Sequence, residues 1–260
     1  MKIKSLILTI LMFIPIYASA QIAADVYKKK NFIVNGETMP YRILYPENFS
    51  SEGEYPLILF LHGAGERGNN NEDQLIHVTQ LLNPENLKEH PAVVLFPQCP
   101  KNDYWSNVEI NREGEPRFIF KTNSEPTSAM KMAMNLLDSV AAMPYIDKDQ
   151  IYVGGLSMGG MGTFEIVSRK PEMFAAAFPI CGGANPKSVN TYAENTDFWI
   201  FHGGMDQVVN PKFSKIMAKA INQAGGNAKL TIYPKATHNS WDSAFAEPKL
   251  LDWIFSKELE

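Results

Sequence analysis

Ser157 stands in the run Gly155-Leu156-Ser157-Met158-Gly159, with Gly160 behind it. Glycines on both sides let the chain turn sharply enough to leave a serine hydroxyl exposed between a strand and a helix. A hydroxyl held there attacks a carbonyl carbon once a base takes its proton, and the base in turn needs a carboxylate to orient it. Downstream, Phe198-Trp199-Ile200-Phe201-His202 is an apolar run that ends in Gly203-Gly204-Met205 and delivers Asp206. Further on, Lys229-Leu230-Thr231-Ile232-Tyr233 alternates as a strand does, and the loop after it carries His238. The order Ser157, Asp206, His238 is the one expected when all three sit on loops at the C-terminal edge of one parallel sheet. The chemistry of such a set is acyl transfer.

Acyl transfer also needs donors for the oxyanion of the tetrahedral intermediate. The amide after the nucleophile, Met158 N–H, is one candidate. Pro56-Leu57-Ile58-Leu59-Phe60-Leu61 reads as a buried strand running into His62-Gly63-Ala64-Gly65, and this turn supplies the second. Ala64 N–H is the first choice there and Gly65 the fallback. The competing histidines are placed differently. His77 falls within a helix predicted over 72–82 and His90 near a proline in a loop, so their context puts neither on the catalytic edge. His62 and His202 each precede a glycine at a strand end, a position suited to turn hydrogen bonds. Glu66 and Asp242 are the rivals of Asp206. Glu66 and Arg67, directly behind the oxyanion turn, can brace it as a salt bridge or meet a polar substrate. Tyr104, Trp105 and Trp241 belong to loops on the same edge. Trp105 and Trp241 are the expected substrate contacts, forming an aromatic wall, with ordinary packing as the alternative.

Five motifs together, LHGAGERG, FPQCP with the nearby Trp105, GGLSMGG, FHGGMD and THNSW, span residues 61 to 241. In this combination the chain resembles the α/β-hydrolases, and more narrowly the secreted, lidless esterases of the feruloyl and acetyl-xylan type. The group described as predicted peptidases or phospholipase/carboxylesterase-like proteins shares the same motifs. The resemblance implies a mostly parallel eight-stranded sheet flanked by helices, without a large lid. It also implies a serine carboxylesterase acting on feruloyl or acetyl esters of plant polysaccharide or on small aryl esters. A serine peptidase of the prolyl-oligopeptidase type uses the same triad, but this chain has no room for a propeller that gates peptides. An inactive carbohydrate-binding protein on the same fold is the reading from another class.

The elements fit an α/β domain. Asn31 to Val34 and Tyr41 to Tyr45, joined through Asn35-Gly36, predict an antiparallel hairpin. Strands are expected at 92–96, 150–153 and 175–180, and helices at 128–143, 161–168, 211–224 and 248–257. Residues 97–127 read as one long loop, functional or mobile. Only about fifteen residues separate the strand ending at Ile180 from the next at Phe198, a gap too short for a helical lid.

Composition narrows the partners. Lys2 and Lys4, an apolar run from Leu6 to Ile14 and then Ala18-Ser19-Ala20 predict a signal peptide over 1–20, cleaved before Gln21. The expected destination is secreted or periplasmic. The apolar run is shorter than the roughly 20 residues that a membrane span needs. Cleavage leaves about 240 residues, enough for one catalytic domain over 21–260 with a sizeable core. Net charge is −4, without a block of one sign, which argues against nucleic acid and anionic membranes as partners. No HExxH, CxxC, calcium loop or P-loop lysine is present, so neither metal nor cofactor is expected. The two cysteines, Cys99 and Cys181, are either small buried apolar residues or one disulfide near the site.

Overall fold

The computed structural model describes residues 26–111, 113–115, 117–121 and 124–259. The expected signal peptide and its cleavage point lie outside the described residues. Eight strands form one sheet: β1 (Tyr27–Val34), β2 (Glu37–Leu44), β3 (Tyr55–Leu61), β4 (Val93–Pro97), β7 (Ile146–Leu156), β8 (Ala176–Ile180), β9 (Asp197–Gly203) and β10 (Ala228–Tyr233). Their spatial order is β1-β2-β4-β3-β7-β8-β9-β10. β5 (Val108–Ile110) and β6 (Phe118–Phe120) form a separate two-stranded hairpin. The helices are α1 (Ser128–Ala141), α2 (Met158–Arg169), α3 (Lys212–Gln223), α4 (Trp241–Phe245) and α5 (Leu250–Phe255).

Side-chain alternation decides how the sheet is covered. In β3, Leu57, Leu59 and Leu61 enter one core while Ile58 and Phe60 enter the other. β4 divides Val93 and Leu95 from Val94 and Phe96, and β9 divides Phe198 and Ile200 from Trp199 and Phe201. Strands apolar on both faces must be covered on both. α1, α2 and α3 cover the first face, and residues 78–87 with α4 and α5 cover the second. The β1–β2 hairpin turns at Asn35 and Gly36, both at positive φ (52° and 81°), as the expected Asn-Gly turn requires.

From β4 through β10 neighbouring strands run parallel, whereas β1 and β2 are antiparallel. Every parallel strand therefore delivers its following loop to the same edge. β3 pairs with β4 on one side and with β7 on the other, so the chain reverses its direction of travel across the sheet at β3. Such a switch point opens a crevice between the loops that follow the two central strands.

Two expectations are corrected. The helix predicted over 72–82 is instead two short 3-10 turns, Asp73–Leu75 and Val78–Gln80. Polar side chains organise this stretch: Asn70 Oδ1 accepts from the Glu72 and Asp73 amides, and Asn71 takes up positive φ (57°). The stretch 97–127 is not a continuous loop, since Val108–Ile110 pairs with Phe118–Phe120 within it.

Candidate active site

Ser157 occupies the turn between β7 and α2 with φ 54° and ψ −114°, a conformation L-residues seldom adopt. Its neighbours impose this. A Cβ on Gly159 would stand 1.8 Å from the Leu61 carbonyl oxygen, and one on Gly155 would stand 2.4 Å from the Gly159 oxygen. β3, β7 and α2 thus meet backbone to backbone around the serine, and Met158 opens α2 with an N–H that has no acceptor in its own helix.

Ser157 Oγ lies 2.9 Å from His238 Nε2, and His238 Nδ1 lies 2.7 Å from Asp206 Oδ2. Asp206 is buried, and both its oxygens are engaged. Oδ1 accepts the Val208 and Val209 amides at 2.8 and 3.0 Å, while Oδ2 faces His238 and also His202 Nε2 at 3.2 Å. Burial alone pushes the Asp206 carboxyl up, but the hydrogen bonds from His202, His238 and Val209 outweigh it and hold the group well below the carboxylate range. The three residues that the sequence puts in this order are therefore brought together as a hydrogen-bonded chain.

The opposite wall is the turn after β3. His62 is buried; its Nε2 accepts the Cys99 amide at 2.9 Å, so Nδ1 carries the hydrogen and donates to Gly63 O at 2.6 Å. Burial lowers the His62 pKa to about 4, which keeps the ring neutral in this tautomer. C=O and N–H point in opposite directions across a planar trans peptide. Holding the Gly63 carbonyl toward the buried ring therefore aims Ala64 N–H to the other side. His62 is thus a turn-binding histidine, one of the two roles open to it from sequence.

Trp105 is a correction. It is fully buried, donates Nε1–H to the His62 carbonyl at 3.1 Å and packs edge-on to the His62 ring at 5.3 Å. A Cβ on Gly162 of α2 would meet it at 2.5 Å. It supports the turn from behind and does not line the cleft. Trp241 does line the cleft, edge-on to His238 with ring centroids 5.5 Å apart, and Tyr104 lines it too. Trp241 also packs on His77, with ring centroids 5.1 Å apart, which brings this histidine beside the site, between two 3-10 turns instead of within the predicted helix.

Glu66 and Arg67 do not pair with each other. Arg67 braces the turn through carbonyls, donating from Nε to Ala64 O and from a terminal nitrogen to Asp103 O. Glu66 lies 3.5 Å from His77, and burial raises its pKa from the ordinary 4.5. Sequence reasoning missed Ile110, Arg117, Phe118 and Val208 in the cleft wall. A signal for three of them was present: Arg117-Phe118-Ile119-Phe120 alternates as a strand, and Asn107-Val108-Glu109-Ile110 supplies a partner.

Cys99 and Cys181 are both free and buried, which decides between the two alternatives left open for them. Cys181 follows β8 at φ 42°, and its sulfur, an Asp206 oxygen and a His238 nitrogen lie within 4.8 Å of one another. Burial pushes the thiol pKa up, so it remains protonated, and the Asp206 oxygens are already occupied by N–H donors. Hydrogen bonding accounts for this cluster without a bound ion.

A serine on a strained strand-to-helix turn, at the C-terminal edge of a mainly parallel sheet covered on both faces, defines an esterase-like hydrolase of the α/β-hydrolase superfamily. Residues 49–249 match the Phospholipase/Carboxylesterase family, and the chain belongs to it. Over 219 residues it is 24% identical to mouse (Mus musculus) lysophospholipase-like protein 1, covering 77% of this chain and 86% of that one. A thermostable esterase of known structure is 31% identical, with a TM-score of 0.81 over 91% of this chain. This chain spans 64% of that esterase's length. Est1E from Butyrivibrio proteoclasticus, at 15% identity and TM-score 0.62, is covered over 99% of its length by 88% of this chain. Porphyromonas gingivalis dipeptidyl peptidase 4, at 13% identity and TM-score 0.62, matches 93% of this chain but 37% of its own length. The last two likenesses show a shared fold alone.

Proposed function

We propose that the chain is a serine carboxylic-ester hydrolase that works through an acyl-enzyme. The observation that carries this reading is the continuous chain from Ser157 Oγ through the His238 ring to Asp206 Oδ2, with links of 2.9 and 2.7 Å. Ser157 attacks the ester carbonyl while His238 Nε2 takes its proton. Asp206 fixes the tautomer that leaves Nε2 free to do so and stabilises the imidazolium. The proton then passes from His238 to the departing alcohol, and water repeats the sequence to release the acid. Met158 N–H and Ala64 N–H receive the oxyanion, and loss of one such donor costs about 3 kcal/mol in the transition state.

The substrates proposed are feruloyl or acetyl esters of plant-type polysaccharide, or small aryl esters related to them, met outside the cytoplasm after removal of residues 1–20. Support for ester chemistry comes from family membership and the likeness to a thermostable esterase. Support for a soluble or polymer-borne substrate comes from the short β8–β9 connection, which carries only the 3-10 turn Pro186–Thr191.

The test is hydrolysis by the mature protein and Ser157→Ala of p-nitrophenyl acetate and butyrate, methyl ferulate, acetylated xylan and a proline-containing peptide amide. Ester turnover that falls on the order of 10⁴-fold or more in the variant is expected. Amide cleavage without ester cleavage would replace this reading with the peptidase. Silence toward all five, together with polysaccharide binding, would replace it with a binding protein.

A further inference from the structure

Among the described residues, two arginines line the cleft above Ser157, Arg67 and Arg117. Arg67 follows the oxyanion turn directly, and the two bonds it makes, to Ala64 O at 3.0 Å and Asp103 O at 3.1 Å, go to neutral carbonyls. They hold the side chain in place without neutralising it, and one terminal nitrogen is left without a partner among the described residues. Arg117 is exposed at the start of β6 with its guanidinium 5.8 Å from the Phe118 ring centroid, and among the described residues it too pairs with no carboxylate.

Among the described residues the single carboxyl lining the cleft belongs to Glu66, which turns to His77 and whose other oxygen is buried. The remaining wall is apolar or aromatic, from Tyr104, Ile110, Phe118, Val208 and Trp241. In a chain of net charge −4, two cations with no carboxylate partner among the described residues, lining one largely apolar cleft, form a local positive field that such a cleft focuses.

We infer that the ester taken by this site carries a free carboxylate, received by Arg67 and Arg117, in addition to the ester group presented to Ser157. This deepens the esterase reading and rests on it. Guanidinium groups meet the two in-plane oxygens of a carboxylate in their own plane, and Arg67 has a single terminal nitrogen left for this contact. The substrates of this class are half-esters of dicarboxylic acids and acyl esters of carboxylate-bearing alcohols or sugars.

The experiment compares kcat/KM within two matched pairs. Mono-4-nitrophenyl succinate against 4-nitrophenyl butyrate places the charge on the acyl arm; 4-acetoxybenzoate against 4-methylphenyl acetate places it on the alcohol arm. The wild-type protein is expected to prefer the charged member of one pair by about tenfold or more. Arg67→Gln and Arg117→Gln should each pull that ratio toward one, chiefly through KM, and added salt should do the same. Arg117 lies on the exposed hairpin, so its variant carries the test even if Arg67→Gln fails to fold. Equal rates within both pairs, or a preference that survives Arg117→Gln and salt, would overturn the inference and leave the esterase reading standing. Absence of turnover of all four esters would overturn both.

Discussion

His238 and His202 hold the same oxygen: Asp206 Oδ2 is 2.7 Å from His238 Nδ1 and 3.2 Å from His202 Nε2. His202 Nε2 also lies 2.9 Å from the Val209 carbonyl, and a ring nitrogen facing two acceptors must carry its hydrogen. The base of the proposed triad thus shares its carboxylate with a second, wholly buried imidazole that Ser214 Oγ fixes from behind at 2.7 Å.

His202→Leu removes that donor and should cost about 1.5–3 kcal/mol of stability at neutral pH, the range for a hydrogen bond to a charged group. His202→Gln, which keeps an N–H, should recover part of the loss. The folded protein holds Asp206 below its ordinary 3.8, so its contribution is complete above that pH and disappears as pH falls through the lower folded value. The His202→Leu deficit measured by urea unfolding should therefore be largest near pH 6 and shrink toward pH 2. A deficit constant across that range would contradict the shared-oxygen account.

His62 supplies a second pH dependence. Its folded pKa of about 4 lies below the ordinary 6.5, so its contribution is complete above 6.5 and is lost as pH falls from there to about 4. The difference amounts to about 3 kcal/mol. His62→Gln should lack this slope in denaturant titrations between pH 7 and 4. Because the Gly63 carbonyl loses its fixed partner, the variant should also lose kcat on esters more than it changes KM.

Two glycines should respond differently. Gly159→Ala drives a methyl into the Leu61 backbone and should cost more than about 3 kcal/mol, lowering Tm by roughly 2–4 °C per kcal/mol if the protein folds at all. Gly65→Ala meets nothing within 4 Å and should leave Tm unchanged. A calorimetric scan of the pair separates close approach from mere glycine content.

Trp105→Phe and Trp241→Phe should separate stability from binding. The first loses a buried hydrogen bond to His62 O and leaves a void, so Tm should drop by several degrees. The second changes a partly exposed wall beside His238, and KM for aryl esters should rise with little change in Tm. The reverse pattern would mean that Trp241 is structural.

The meeting of Ser157, Asp206 and His238 was legible because each follows a strand whose apolar run is visible in the sequence, and parallel pairing alone sends the three loops to one edge. Trp105 was misassigned for a complementary reason. It lies on the same edge in the chain, but depth below that edge depends on which side chain fits against Gly162, and sequence order does not encode it. The 3-10 turns around His77 escaped because Asn70 Oδ1 captures the Glu72 and Asp73 amides that a helical reading leaves to the helix, and Asn71 takes up positive φ. The β5–β6 pairing was obscured by short strands separated by a polar, proline-containing stretch.

That hairpin rests on the rest of the molecule through Phe118 against Met161 and Val209, with Val108, Phe120 and Phe213 around them. Among the described residues it bonds directly to none of Ser157, His238 and Asp206, yet it contributes Ile110, Arg117 and Phe118 to the cleft. In the function proposed, hydrolysis and substrate selection therefore fall to separate pieces of chain. The hairpin is a cassette: transplanting residues 108–120 between relatives that share the sheet should carry selectivity with it while the engine beneath keeps running.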